Sequence, residues 1–161
     1  MKRILFILLV GASIAGALTS CLNGEMQSTP ELYATQMYRI HGEQQDTIRP
    51  TDSISIGDTL CMPVLISGQF NCLKSFAIQA QPAVFDYWMT CDSTVLEVLT
   101  EATKLDQGLL YFLPKMVVVA QANVWFVPKQ SGQQPMYFNV TNDATDEKYC
   151  TRGFSVTFTI R

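Results

Sequence analysis

From Phe154 to Ile160 every second residue is apolar, with Phe154, Val156, Phe158 and Ile160 alternating with Ser155, Thr157 and Thr159. A period of two suits an extended strand with one buried and one wet face, and a helix cannot satisfy it. Upstream, short runs rich in β-branched and aromatic residues recur between clusters of Gly, Pro, Asn and Asp, the signature of an all-β sandwich or barrel. Ser53–Ile56 and Thr59–Ile66 read as strands, and Pro63 places the second at an edge or a bulge because proline has no amide to donate. Met116–Val127 is apolar on both faces in its second half, with Ala122, Val124 and Phe126 on one side and Trp125 and Val127 on the other, which predicts a central strand. After Pro128 and Gly132, alternation resumes at Met136, Phe138 and Val140, so a hairpin is the simplest connection. Leu109–Leu113 reads as a buried strand. Thr94–Lys104 fits both a helical face with a Thr94–Glu97 capping box and a strand; the β-rich surroundings favour a strand running into a loop.

Folding Leu73–Cys91 about Gln81-Pro82 sets Ile78 opposite Phe85 and Phe76 opposite Tyr87, and it brings Cys72 to face Cys91. Directly opposed residues are close enough for a disulfide after modest adjustment. Cys61 would then pair with Cys150 by elimination. Buried thiols acting as small hydrophobes are the other reading of these four residues.

The N-terminus is a different kind of sequence. Lys2 and Arg3 precede a uniformly apolar Ile4–Val10, and small residues follow up to Leu18-Thr19-Ser20-Cys21. These residues resemble the lipobox of a bacterial lipoprotein signal peptide. The apolar stretch spans about fifteen residues and falls short of the roughly twenty that cross a bilayer. The resemblance implies that residues 1–20 are an address and that Cys21 becomes the N-terminus. That cysteine would carry a thioether-linked diacylglycerol and an amide-linked, palmitate-type acyl chain. Several chains at about 0.8 kcal/mol per buried methylene anchor a protein stably. Residues 21–30 (CLNGEMQSTP) then form the lipidated cysteine and a tether, and residues 31–161 the sandwich domain.

Composition excludes some functions. Lys2 and Arg3 leave with the leader, so the remaining chain is acidic by about five charges. Its lysines (Lys74, Lys104, Lys115, Lys129, Lys148) are scattered singly and form no stripe for consecutive phosphates, which argues against nucleic acid. The cysteine spacings contain no C-x-x-C pair, and His41 is the single histidine, so a zinc set is not built. No G-x-S-x-G or H-E-x-x-H motif or phosphate-binding glycine loop occurs, and His41, beside Gly42, reads as a solvated turn residue. No cofactor is implied. Paired carboxylates need no motif to hydrolyse a glycoside, but Asp46, Asp52, Asp58 and Asp92 occupy turn positions where Asp ordinarily bonds its own backbone. The acids of Asn142–Glu147 can ligate calcium through oxygen, yet they lack EF-hand spacing, and a solvated loop is the preferred reading.

Asp46-Thr47-Ile48, Asp52-Ser53-Ile54, Asp58-Thr59-Leu60 and Asp92-Ser93-Thr94 resemble the acceptor pattern of general O-glycosylation in Bacteroidetes, which would modify Thr47, Ser53, Thr59 and Ser93. Together with the lipobox and the β-rich body, the chain resembles small Bacteroidetes lipoproteins carrying an immunoglobulin-like antiparallel β-sandwich. The resemblance transfers no active-site residue. It implies a non-enzymatic module, lipid-anchored in the cell envelope at the outer membrane, that binds a glycan or an envelope protein. A single acid, Glu25, follows close behind Cys21, so the face of the membrane it occupies stays open. Tyr33, Tyr38, Trp88 and Tyr137 are candidates for stacking on sugars. A carboxylate-dependent hydrolase and a structural subunit of an envelope assembly are the alternatives.

Overall fold

A computed structural model describes residues 27–34, 36–49, 52–92 and 98–161. The chain forms an immunoglobulin-like antiparallel β-sandwich of ten described strands: β1 (Glu31–Ala34), β2 (Met37–His41), β3 (Gln44–Ile48), β4 (Thr59–Ser67), β5 (Leu73–Gln79), β6 (Phe85–Thr90), β7 (Leu109–Tyr111), β8 (Val119–Pro128), β9 (Gly132–Asn142) and β10 (Thr151–Ile160). A 3₁₀ turn at Leu105–Gln107 and one helical turn, α1 (Glu147–Cys150), complete it. Six strands make one sheet in the order β3-β2-β4-β8-β6, with β1 sharing the β2 edge of β4; the other sheet runs β10-β9-β5-β7.

Alternation decides what lies between the sheets. Leu60, Met62, Val64 and Ile66 of β4 and Ala120, Ala122, Val124 and Phe126 of β8 turn inward, and Phe76, Ile78, Met136, Phe138, Val140, Phe158 and Ile160 meet them from the smaller sheet. Phe126 and Phe158 have ring centroids 4.8 Å apart, and Phe85 packs edge-on to both. Among the described residues the buried core cluster runs from Ile54 to Ile160.

Residues before Glu31 already belong to the body. The Ser28 amide donates to Asn71 Oδ1 at 3.0 Å, Asn142 Nδ2 donates to the Ser28 carbonyl at 2.7 Å, and Pro30 is buried. The sandwich therefore begins by Gln27, earlier than composition indicates.

The strand expectations hold for β4, β7, β8 and β10, and β8 is central, flanked by β4 and β6. Two connections differ. The turn at Gln81 exists, with Val84 and Phe85 both donating to the Gln81 carbonyl, but it carries the chain across the interior. β5 pairs with β9 and β7, whereas β6 pairs with β8 in the opposite sheet, so Ile78 and Phe85 face one another through the core and are not cross-strand partners. β8 and β9 likewise lie in different sheets, and the hairpin partner of β9 is β10. Pro63 sits inside the larger sheet, tolerated because its far side meets the handover from β1 to β2, where Ala34 pairs with Val64 and Tyr38 with Cys61. Ser53–Ile56 contributes only a parallel bridge, Ile54 to Ile160. Of Thr94–Lys104, Val98 and Lys104 make isolated bridges to Phe112 and Leu109, while residues 94–97 lie outside the described part.

The sheet assignment also corrects the disulfide expectation. Cys61, Cys72, Cys91 and Cys150 are all thiols. Cys72 precedes β5 in one sheet and Cys91 follows β6 in the other; Cys61 lies on β4, and Cys150 at the β9–β10 end of the smaller sheet. The hairpin register that would have opposed Cys72 and Cys91 does not form.

Candidate functional site

A sandwich has two outer faces, and register shows what each presents. On the larger sheet Trp88 pairs with Trp125, Trp125 with Cys61, Cys61 with Tyr38 and Tyr38 with Thr47, one lateral row across five strands. The two indoles are parallel, 6.0 Å apart, and Trp125 Nε1 donates to Thr90 Oγ1 at 2.9 Å. Tyr38 Oη donates to Gln36 Oε1. Cys61 is buried within this row although it faces away from the core, and burial pushes its thiol pKa up. The row is packed on itself, with its polar atoms already partnered.

The smaller sheet presents a different surface. Its outward rows are Tyr111–Ser75–Thr141–Thr151, Leu109–Ala77–Asn139–Gly153 and Gln79–Tyr137–Ser155. Amides and hydroxyls dominate, and none of these residues is Asp, Glu, Lys, Arg or His. Tyr137 stands 50% exposed in the middle. It separates two hollows that share Gln79: one of about 240 Å³ reaching Gln81, Gln134 and Pro135, the other of about 270 Å³ reaching Asn139, Gly153 and Ser155. A Cβ on Gly153 would stand 3.4 Å from Asn139 Oδ1, so glycine there keeps the second hollow open beside the amide. The surface offers one aromatic face bordered by planar donors and acceptors, the combination a neutral polyhydroxylated ligand requires.

Of the four aromatics singled out for stacking, Tyr137 lines both of these hollows. Tyr33 is exposed on β1 opposite Leu65, while Tyr38 and Trp88 are half-buried in the aromatic row. Gln79, Asn139 and Ser155 were not singled out. Alternation exposes each of them along its own strand, but their convergence depends on β5 lying beside β9.

The other candidates have structural tasks. Asp58 Oδ2 accepts from the Ser55 amide at 2.8 Å and from Arg39 Nε at 3.0 Å, and Asp52 Oδ2 accepts from the Arg49 amide at 2.9 Å. Asp143 Oδ1 accepts from the Cys72 amide at 2.8 Å. Asp146 caps α1 through the Lys148 amide, and that bond with the Lys148 side chain holds its carboxyl pKa low. His41 ends β2, exposed. Among the described residues no three His, Cys, Asp or Glu side chains converge to hold a metal. Thr47 and Ser53 are exposed and Thr59 half-buried; Cys21 and Ser93 lie outside the described residues.

No protein-family model matches the chain, and no curated protein aligns with it. Solved structures share the sandwich distantly. A lipoprotein from Bacteroides thetaiotaomicron matches at 10% identity and TM-score 0.47, over 84% of this chain and 82% of that one. Self-complemented MyfA, the major subunit of Myf fimbriae from Yersinia enterocolitica, in complex with galactose, matches at 14% identity and TM-score 0.38, over 83% and 98%. The Salmonella SafD adhesin matches at 6% identity and TM-score 0.39, over 84% and 99%.

Proposed function

We propose that this protein is a lipid-anchored envelope module that binds a neutral glycan on the outer face of its four-stranded sheet. The observation that carries the reading is the row Gln79–Tyr137–Ser155, in which one exposed ring stands between two uncharged hollows lined by amides. A sugar ring stacks on the tyrosine while its hydroxyls exchange hydrogen bonds with Gln79, Gln134 and Asn139. The module holds its ligand and does not turn it over; two of its turn acids, Asp52 and Asp58, are committed to backbone amides and to Arg39. Cys21 supplies the anchor, and O-glycans decorate Thr47, Ser53, Thr59 and Ser93.

The test is a titration of residues 22–161 against neutral envelope and host polysaccharides. Tyr137→Ala and Gln79→Ala should each weaken binding by about tenfold or more, roughly 1.4 kcal/mol, while Trp88→Ala leaves the affinity unchanged. Binding that survives Tyr137→Ala, or release of sugar products by the purified protein, would overturn the reading.

A further inference from the structure

The end of the sandwich at which the chain enters carries an unusual concentration of exposed apolar side chains. Phe70 is 51% exposed, Met116 59% and Val119 51%. Phe70 lies in the turn between β4 and β5, and Met116 in the segment leading into β8. The two loops are laced together, since the Gly68 amide donates to the Val118 carbonyl at 2.8 Å and the Leu73 amide to the Val117 carbonyl at 2.6 Å. Val119 begins β8 opposite Ser67. The entering chain is bound to the same loops, because the Phe70 amide donates to Ser28 Oγ and the Ser28 amide to Asn71 Oδ1.

Two lysines and a hollow lie at this end as well. Lys115, beside Met116, has a left-handed backbone with φ 61°, an uncommon and strained conformation for a residue with a side chain. It lines, with Lys74, Tyr111, Phe112 and Pro114, an apolar hollow of about 620 Å³. Of the acids nearby, Asp143 lines the same hollow and accepts from the Cys72 amide, Glu31 accepts from Gln69 Nε2 at 2.6 Å, and Asp146 pairs with Lys148.

We propose that this end is a membrane-docking tip, with Phe70, Met116 and Val119 seated at the boundary between headgroups and acyl chains and Lys115 and Lys74 at the headgroup level. The occupant follows from the chain itself. Cys21 and Gln27 are six residue steps apart, a reach of at most about 20 Å, so a lipid on Cys21 delivers this end, and no other, to the bilayer. So short a tether gives a high effective concentration, and weak apolar and cationic contacts suffice. The proposal rests on the anchor reading for delivery, and its test is therefore built without Cys21.

Residues 22–161, which contain every core residue among the described residues, are captured through an N-terminal histidine tag on vesicles of phosphatidylethanolamine and phosphatidylglycerol doped with nickel-chelating lipid, with brominated acyl chains as quencher. Ile56, 53% exposed in the turn where the Gly57 amide meets the Pro128 carbonyl, is the matched control at the opposite end. Added emission from Phe70→Trp or Met116→Trp should be quenched by roughly half, and that from Ile56→Trp should be unaffected, as expected for insertion to the acyl boundary. Moving the tag behind Arg161 should leave Ile56→Trp unquenched, because that end has no affinity for lipid. Equal quenching at both ends, none at Phe70 and Met116, or quenching of Ile56→Trp under C-terminal capture would overturn the proposal. Fractionation of Cys21→Ser tests the anchor separately, so the two readings can fail independently.

Discussion

The two outer faces of this sandwich obey the same alternation and reach opposite results. On the six-stranded sheet the outward row Trp88–Trp125–Cys61–Tyr38 closes on itself, and a thiol facing solvent by its register is buried by its neighbours. On the four-stranded sheet most outward residues are small, hydroxylated or amidic, and its two rings, Tyr111 at one edge and Tyr137 between Gln79 and Ser155, stand in separate rows. Large aromatic neighbours supply packing and stability; small polar neighbours leave a surface that a ligand can complete. Outward orientation alone therefore does not identify a binding residue.

Three substitutions probe that contrast against the shared interior. Phe126→Ala removes the ring that meets Phe85 and Phe158 between the sheets and should cost about 3–5 kcal/mol in denaturant unfolding, with both faces lost together. An unfolding midpoint close to that of the parent would mean the core is not shared as described. Trp125→Ala removes half of the stacked indole pair and should cost about 2 kcal/mol, less than a fully buried ring because the site is partly solvated. It should also unmask Cys61. In the parent, burial raises the pKa of that thiol and shields it, so iodoacetamide should label Cys61 more slowly than an ordinary thiol, and in Trp125→Ala at a rate approaching the unfolded chain's. Peptide mapping that finds Cys61 equally reactive in both proteins would sink the description of the row as closed. Tyr137→Ala should change stability by no more than about 0.5 kcal/mol, since half of the side chain is already in water, while weakening glycan binding by about tenfold or more. A large thermal shift in this variant would show that Tyr137 is a packing residue like Trp125.

Much of this architecture was legible from local pattern. The period of two in β10 and the two-sided apolarity of β8 each report the immediate environment of one strand, so each was readable without knowing its neighbours. Partner choice is not local. The turn at Gln81 was correctly located, but whether the chain returns beside itself or crosses to the facing sheet depends on Phe76, Ile78 and Phe85 finding partners from β8, β9 and β10 across the core. The same limit hid the site: Tyr137 was visible as an exposed aromatic, whereas Gln79 joins it only because β5 runs beside β9.

The central pairing of β4 with β8 has a consequence for how the chain reaches this state. Cys61 and Trp125 are neighbours although about sixty residues separate them in sequence, and such non-local pairing is a slow step that places this fold among millisecond-to-second folders. Until β8 is available, the inward face of β4, with Leu60, Met62, Val64 and Ile66, has no sheet to complete. Every newly delivered copy thus passes through an interval with a long apolar strand uncovered, and a chain truncated before Val119 never leaves it. Such a fragment should aggregate or be degraded and should not survive as a smaller domain.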